Sequence, residues 1–379
     1  MSFPDPDRTP LRRLFLHFMA TETQPILNTP LLASHEQLGA KLVPFAGWRM
    51  PLDYGSILGE SRAVRSGAGV FDVSHMARFL FRGPDVAAQL DHALGGSILD
   101  QPVGKARYTM ILQEDGGILD DLITYRTAAD EIFMVVNASN RHRDWDLLME
   151  RLPAVECADL TEDGGGILAL QGPDSKRILA ELSGVSDFCP EFLDLGELPS
   201  EWGDLFIART GYTGEHGYEI FVSAEQIVPV WSKLLALGAA PVGLGARDVL
   251  RLEAALPLYG HEIHETITPF DVNLRFAIKG WKTRTFIGGD ALRAIKDVER
   301  ELIGFTATQR VPREGYPVFC DGAEVGVICS GVFSATLEHP IATALVKKGC
   351  EGSFTVDFRG KQLPVERTAT PFVPHRSRA

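Results

Sequence analysis

The 379-residue chain contains no C-x-x-C pair. Its five cysteines, Cys157, Cys189, Cys320, Cys329 and Cys350, are scattered and odd in number. That pattern argues against a zinc knuckle or a disulfide framework and points to reduced thiols in a cytoplasmic compartment. No apolar run reaches membrane-spanning length, so no membrane partner is expected. Positive charge is in deficit, with 37 basic against 50 acidic residues and a net charge of −13. A nucleic-acid partner is therefore not expected, although a local basic groove for an anionic substrate remains open. There is no P-loop. "GLGARD" (243–248) lacks both the third glycine and the later acid of a dinucleotide site. Repeats and low-complexity tracts are absent as well.

What is present describes an ordinary folded protein, too long for one core, with two or three domains as the natural expectation. Residues 1–28 carry Pro4, Pro6, Pro10 and Pro25 beside Arg8, Arg12 and Arg13. They read as a disordered tail, with Met19 an alternative start, because "LFLHFMA" is too short for a signal-peptide core and no small-residue cleavage site follows. From Thr29 the pattern is regular. "TPLLASHEQLGAKLVPFAGWRMP" predicts a short helix, a strand and a loop holding Trp48. "ARYTMILQEDGGILDDLITYR" predicts a hairpin around "EDGG". Strands mostly joined by hairpins, with helices such as "PDSKRILAELS" and "ARDVLRLEAAL" between them, predict an α+β fold with antiparallel sheets. The segment "DALRAIKDVERE" separates a body at 29–290 from a region at 300–374 made of short strands, read as a small barrel or sandwich.

Several constellations could carry chemistry. "HEIHE" (261–265) spaces its histidines three apart rather than four and offers no third ligand, so loop histidines are the expectation and a metal is not. His75 in "DVSHM" reads as buried and hydrogen-bonded, and Cys350 in "VKKGC" as a buried strand-end thiol. The pair Asp120 and Asp121 follows a hairpin turn. Adjacent strand residues face opposite ways, so one acid can point inward, with a raised pKa fit for proton transfer, while its neighbour meets solvent. Two ordinary turn acids are the alternative. In "ARTGYTGEHGYEIFV" (208–222), glycines at 211, 214 and 217 imply positive φ or close approach, and the carboxylate of Glu219 stands just inside the following strand.

"VPFAGWRMPLDY", "GVFDVSHM", "GGILDDL", "ALQGP", "ARTGYTGEHGYEI", "GLGARDVLRLEA" and "SGVFSATL" occur in this order. Together they resemble the aminomethyltransferase (T-protein) family of the glycine cleavage system, over about Thr29 to Val373. The resemblance implies a three-domain cloverleaf, the last domain a small β-barrel, around a central folate channel. It implies transfer of a one-carbon unit from the aminomethyl-carrying lipoyl arm of the H-protein to tetrahydrofolate, with release of ammonia and no metal. The family's pterin-binding glutamate falls on Glu219, where a carboxylate accepts paired N–H bonds and a glycine-lined turn lets the ring approach backbone. Its catalytic aspartate falls on Asp121, placed to orient the attacking nitrogen, accept its proton and stabilise an iminium-like intermediate. Arg247 would bind an anionic group or hold Asp121. Tyr212, Tyr108, Tyr125 and Asn137 correspond to further pocket positions, each with packing as its other reading.

The chain departs from the family pattern in places. His261 and His264 replace an amide and an acid, Phe276 stands where a tryptophan is usual, and Ser377 stands where some members carry tyrosine. These changes touch the channel and partner surface more than the folate core. Two relatives with other activities compete with the aminomethyltransferase reading. One is a folate-dependent demethylase of a methylated amine or sulfonium compound. The other is a non-catalytic folate-binding protein of iron–sulfur assembly or repair, marked by a mid-chain glycine-cysteine motif; here "KGC" lies at 348–350, in the last domain.

Overall fold

A computed structural model describes residues 26–377, except 187 and 189. Cys189, Met19 and nearly all of the expected tail lie outside the described residues.

Alternating apolar residues build two sheets whose outer faces are covered by helices. The first has six strands in the order Leu195–Leu198, Leu205–Ala208, Gly217–Val222, Gly166–Gln171, Gly69–Asp72 and Ala240–Val242. All its pairings are antiparallel except the last. Tyr218, Ile220 and Val222 point to an outer face covered by the helices Ser175–Ser183 and Ile227–Ala236, in a core with Ile178, Leu182, Val230 and Trp231. The second sheet has five antiparallel strands in the order Lys105–Leu112, Ile118–Ala128, Glu131–Val136, Ala77–Arg82 and Glu156–Asp159. Its outer face packs Leu122, Ile132 and Met134 against Leu90 and Leu148, from the helices Val86–Ala93 and Arg141–Arg151.

The inner faces meet each other. Tyr125 and Val135 of the second sheet join Phe71, Ala169 and Ala208 of the first in one apolar cluster. Leu250, from the helix Leu244–Glu253, closes this cluster. Here the ring of Tyr125 meets that of Phe221 edge to face at 5.3 Å. Period-two alternation therefore decides more than burial. In the middle of the strand Ile118–Ala128, Asp120 and Leu122 point toward the helices, and Ile123 and Tyr125 point toward the other sheet.

From Arg300 the chain forms a closed barrel of six strands, Arg300–Thr306, Pro340–Lys347, Ala323–Phe333, Pro317–Cys320, Phe354–Phe358 and Lys361–Thr368. Closure leaves no free strand edge. The helix Leu244–Glu253 seats the barrel on the body. Arg251, fully buried, reaches Glu262 at 2.9 Å and donates to the hydroxyl of Ser330 at 2.7 Å. Beyond the barrel the chain turns back across the body. The Val373 amide donates to the Glu253 carbonyl at 2.8 Å, and the Arg376 and Ser377 amides donate to the Gly214 carbonyl at 2.7 and 3.1 Å.

The hairpin around "EDGG" and the α+β class with antiparallel sheets are as the sequence predicts. One local expectation fails. Trp48 is not in a loop; it opens the strand Trp48–Asp53, hairpinned to Lys41–Phe45 through Ala46 and Gly47. Both turn residues have positive φ, 48° and 81°, the signature of a tight two-residue hairpin turn. An alanine there conceals the turn from a reading that looks for Asn-Gly.

Candidate functional site

The inner faces carry two carboxylates. Glu219 sits mid-sheet, opposite Ala169 on one neighbouring strand and Ala208 on the other, so small side chains flank it on both sides. Its Oε2 accepts from the Tyr125 hydroxyl at 3.3 Å and from the Thr210 hydroxyl. No described residue donates to Oε1. Asp121 stands on the facing sheet. Its Oδ2 accepts from Tyr108 Oη at 2.9 Å and its Oδ1 from the Asn137 amide at 2.9 Å. Burial pushes the Asp121 carboxyl up to about 7, with a charge on Asp120 as the next cause, and the Tyr108 and Asn137 donors hold it back.

A buried cation stands near Glu219. The guanidinium of Arg247 is centred 4.7 Å from the Tyr212 ring and lies within electrostatic range of Glu219. It donates no hydrogen bond and makes no ion pair among the described residues. Burial lowers its pKa, and the Tyr212 hydroxyl and Glu219 oppose the shift. The Tyr212 hydroxyl donates to the Pro257 carbonyl. Tyr108 stacks on Phe276 at 6.0 Å and 28°, and Phe276 is 71% exposed, the most open large apolar side chain described.

The structure thus gathers all seven residues singled out by the sequence, Asp121, Glu219, Arg247, Tyr212, Tyr108, Tyr125 and Asn137, around the space between the two sheets. Four expectations change in detail. Asp120 does not meet solvent: it is fully buried, because the outer face toward which it points lies under the helix Arg141–Arg151. Arg247 does not hold Asp121; it rests on Tyr212 instead. Gly211 and Gly217 do not open the backbone to a ring. A Cβ on either would come within 2.0 or 2.5 Å of the Gln171 amide group, so the space belongs to Gln171, which accepts from Thr213 and donates to the Thr210 carbonyl. Of the three glycines only Gly214 needs positive φ, at 75°. Finally, His75 is buried, but its Nδ1 has no hydrogen-bond partner. Its ring meets Phe45 edge to face, and burial and the Arg247 charge push its pKa down to about 4.

The sequence did not reveal Thr210, Asn140 or Asp144. Thr210 is two residues from Tyr212, but nothing in its spacing marks it. Asn140 and Asp144 sit at the start of a helix, where such residues usually serve as caps.

Two family models match the chain. One described as "GCVT N-terminal domain" covers residues 31–282, and one described as "Glycine cleavage T-protein C-terminal barrel domain" covers 300–374. The chain belongs to the glycine cleavage T-protein family. It is 43% identical over 365 residues to an aminomethyltransferase of Streptomyces avermitilis, spanning 91% of this chain and 97% of the relative. It is 42% identical over 349 residues to an aminomethyltransferase of Thermus thermophilus, spanning 92% and 99%. The crystal structure of glycine cleavage system aminomethyltransferase T from Bartonella henselae superposes with a TM-score of 0.85 at 35% identity, over 93% of this chain and 99% of that one. The chain is an enzyme and catalyses the aminomethyl transfer for which these relatives are named. No helix among the described residues is long and apolar enough to cross a membrane, and no cluster of three or more His, Cys, Asp or Glu there could hold a metal.

Proposed function

We propose that the chain transfers the one-carbon unit from the aminomethyl-carrying lipoyl arm of the H-protein to tetrahydrofolate, releasing ammonia and giving methylenetetrahydrofolate. The observation that carries this reading is the facing pair of inner carboxylates, one with a free acceptor oxygen and one with a pKa near neutrality. Glu219 Oε1 has the geometry to accept from the paired N–H edge of a pterin, while Tyr125 and Thr210 fix Oε2. Asp121, raised to about 7, is half ionised where the reaction runs, and so both takes up the proton of the attacking nitrogen and steadies positive charge on the carbon being moved. Tyr108 and Asn137 fix its two oxygens. Arg247, which makes no ion pair among the described residues, pairs with a negative group of the substrate; Tyr212 supports it from beneath. On this reading the compartment is the cytoplasm, in which the free Cys157, Cys320, Cys329 and Cys350 would stay reduced.

The test is product formation by the purified chain with aminomethyl-loaded H-protein and tetrahydrofolate. Methylenetetrahydrofolate and ammonia should appear in equal amounts. Absence of both from a folded preparation, with methyltetrahydrofolate formed instead from a methylated amine or sulfonium compound, would replace the transfer reading with demethylation.

A further inference from the structure

Behind Asp121, on the helix-covered side of the same strand, two further carboxyls face each other. Asp120 and Asp144 are both fully buried. Asp120 comes from the strand and Asp144 from the first turn of the helix Arg141–Arg151. The surroundings of the two differ sharply. Asp120 Oδ1 accepts from the Asn137 amide at 2.8 Å and the Asn140 amide at 2.7 Å, and its Oδ2 from the Asn137 backbone N–H at 3.3 Å. Neither oxygen of Asp144 receives an N–H or hydroxyl donor from the described residues. The nearest cation, Arg143, holds its Nε 3.6 Å from Asp144 Oδ1 and spends its other groups on Glu265, Tyr259 and the Leu119 carbonyl.

Two carboxylates cannot both stay charged in one dry site, and a carboxylate without donors is costly there. A single proton resolves both conflicts when Asp120 carries it and donates it to Asp144, and these two side chains are within hydrogen-bonding reach. The helix start favours the negative charge on Asp144 over Asp120. Burial and the Asp144 charge push Asp120 well above the carboxylate range, while Asp144, also raised by burial, lies at about 6.

The pair connects to Asp121 through one side chain. Asn137 Nδ2 lies 2.8 Å from Asp120 Oδ1, 2.9 Å from Asp121 Oδ1 and 3.1 Å from the Asp121 carbonyl. Its two N–H groups must serve three acceptors. A charged Asp120 would draw them inward and repel the charge on Asp121.

We propose that Asp120 and Asp144 share one proton in the interior, holding Asp120 neutral so that Asp121 ionises on the inner face of its sheet and keeps its Asn137 donor. This rests on the catalytic reading of Asp121 above, and makes Asp120 and Asp144 positioning residues rather than catalytic ones. The other titratable groups facing these acids are Arg143 and Arg151 on the helix, Tyr108 on the neighbouring strand and Tyr259 on the adjoining loop.

The test is the pH dependence of turnover in three variants of the whole chain. Asp144→Asn removes the partner that needs the proton, so Asp120 ionises and the acid limb moves to higher pH by about one unit or more. Asp120→Asn mimics the neutral acid and keeps the limb where the native enzyme has it. The double variant returns the limb to its native position. A limb unmoved in Asp144→Asn, or lowered by about one unit in Asp120→Asn, would show that Asp120 is charged in the native enzyme and overturn the proposal. A second measurement needs no activity. At about pH 9, where Asp121 and Asp144 are ionised, the infrared carbonyl band of a protonated carboxyl should be present in the native protein, lost in Asp120→Asn and retained in Asp121→Asn. Its absence from the native protein, or its loss in Asp121→Asn alone, would overturn the proposal. A retained band in an active Asp121→Asn enzyme would instead remove the catalytic reading while leaving the shared proton standing.

Discussion

Glu219 and Asp121 occupy corresponding inner-face positions on facing sheets, yet their surroundings differ. Glu219 is fixed through one oxygen by two hydroxyls, with Arg247 in electrostatic range and its other oxygen free. Asp121 is fixed through both oxygens, by a hydroxyl and an amide, with a second acid directly behind it. An acceptor meant to hold a ligand needs a spare lone pair and a steady charge. An acid meant to exchange protons needs its charge made less favourable, which burial supplies. The contrast therefore separates binding from turnover, and substitutions can break it.

The largest effect should come from Asp121→Asn. It preserves shape but removes proton acceptance and charge, so turnover should fall about 100-fold or more while tetrahydrofolate affinity changes little. Steady-state kinetics beside a calorimetric titration measures both, and an equal loss in each would dissolve the contrast. Glu219→Ala should do the reverse. Leaving the pterin donors unpaired costs about 1–3 kcal/mol, or roughly tenfold or more in affinity, with turnover at saturating folate much less affected. Unchanged affinity in a folded variant would take Glu219 out of the site.

Tyr108→Phe should sharpen the Asp121 half. Burial pushes the native carboxyl up to about 7 and it acts when ionised, so turnover should fall as the pH drops through that value. The Tyr108 hydroxyl favours the ionised form; without it the acid limb should rise further, by about one unit, with folate affinity preserved. A limb that moves to lower pH would contradict the assignment. Tyr125→Phe should give the smallest change. It removes one bond of 3.3 Å to Glu219 Oε2 while Thr210 remains, so folate affinity should weaken only severalfold, about 1 kcal/mol. A loss as large as that of Glu219→Ala would mean that Tyr125, not the carboxylate, sets the affinity.

Much of this arrangement was legible in the sequence because strand alternation is a local property. The order of side chains in "GGILDDLITY" already puts Asp121 and Tyr125 on one face and Asp120 and Leu122 on the other. What alternation could not say is what covers each face. The outer face lies under a helix that begins at Arg141, so Asp120 faces Asp144, from the first turn of that helix, instead of water. The same limit applies to the glycine turn. Gly211 and Gly217 announced a close approach, but its cause, Gln171, lies on a different strand some forty residues earlier in the chain. Arg247 could be assigned a role as a cation near the site, but not its seat on Tyr212, which depends on how a helix start and a loop converge.

The segment that returns from the barrel to the body has a consequence for biosynthesis. The Gly214 carbonyl, inside the turn that leads to Glu219, finds its partners in the amides of Arg376 and Ser377. Those residues are made some 160 positions later, a wait of roughly ten to thirty seconds at about 5–20 residues per second. During that interval the nascent chain carries both sheets with this turn unlatched. Capacity to hold folate should therefore arrive after the barrel has formed, and translation arrested before Val373 should yield chains with formed sheets and a loose turn.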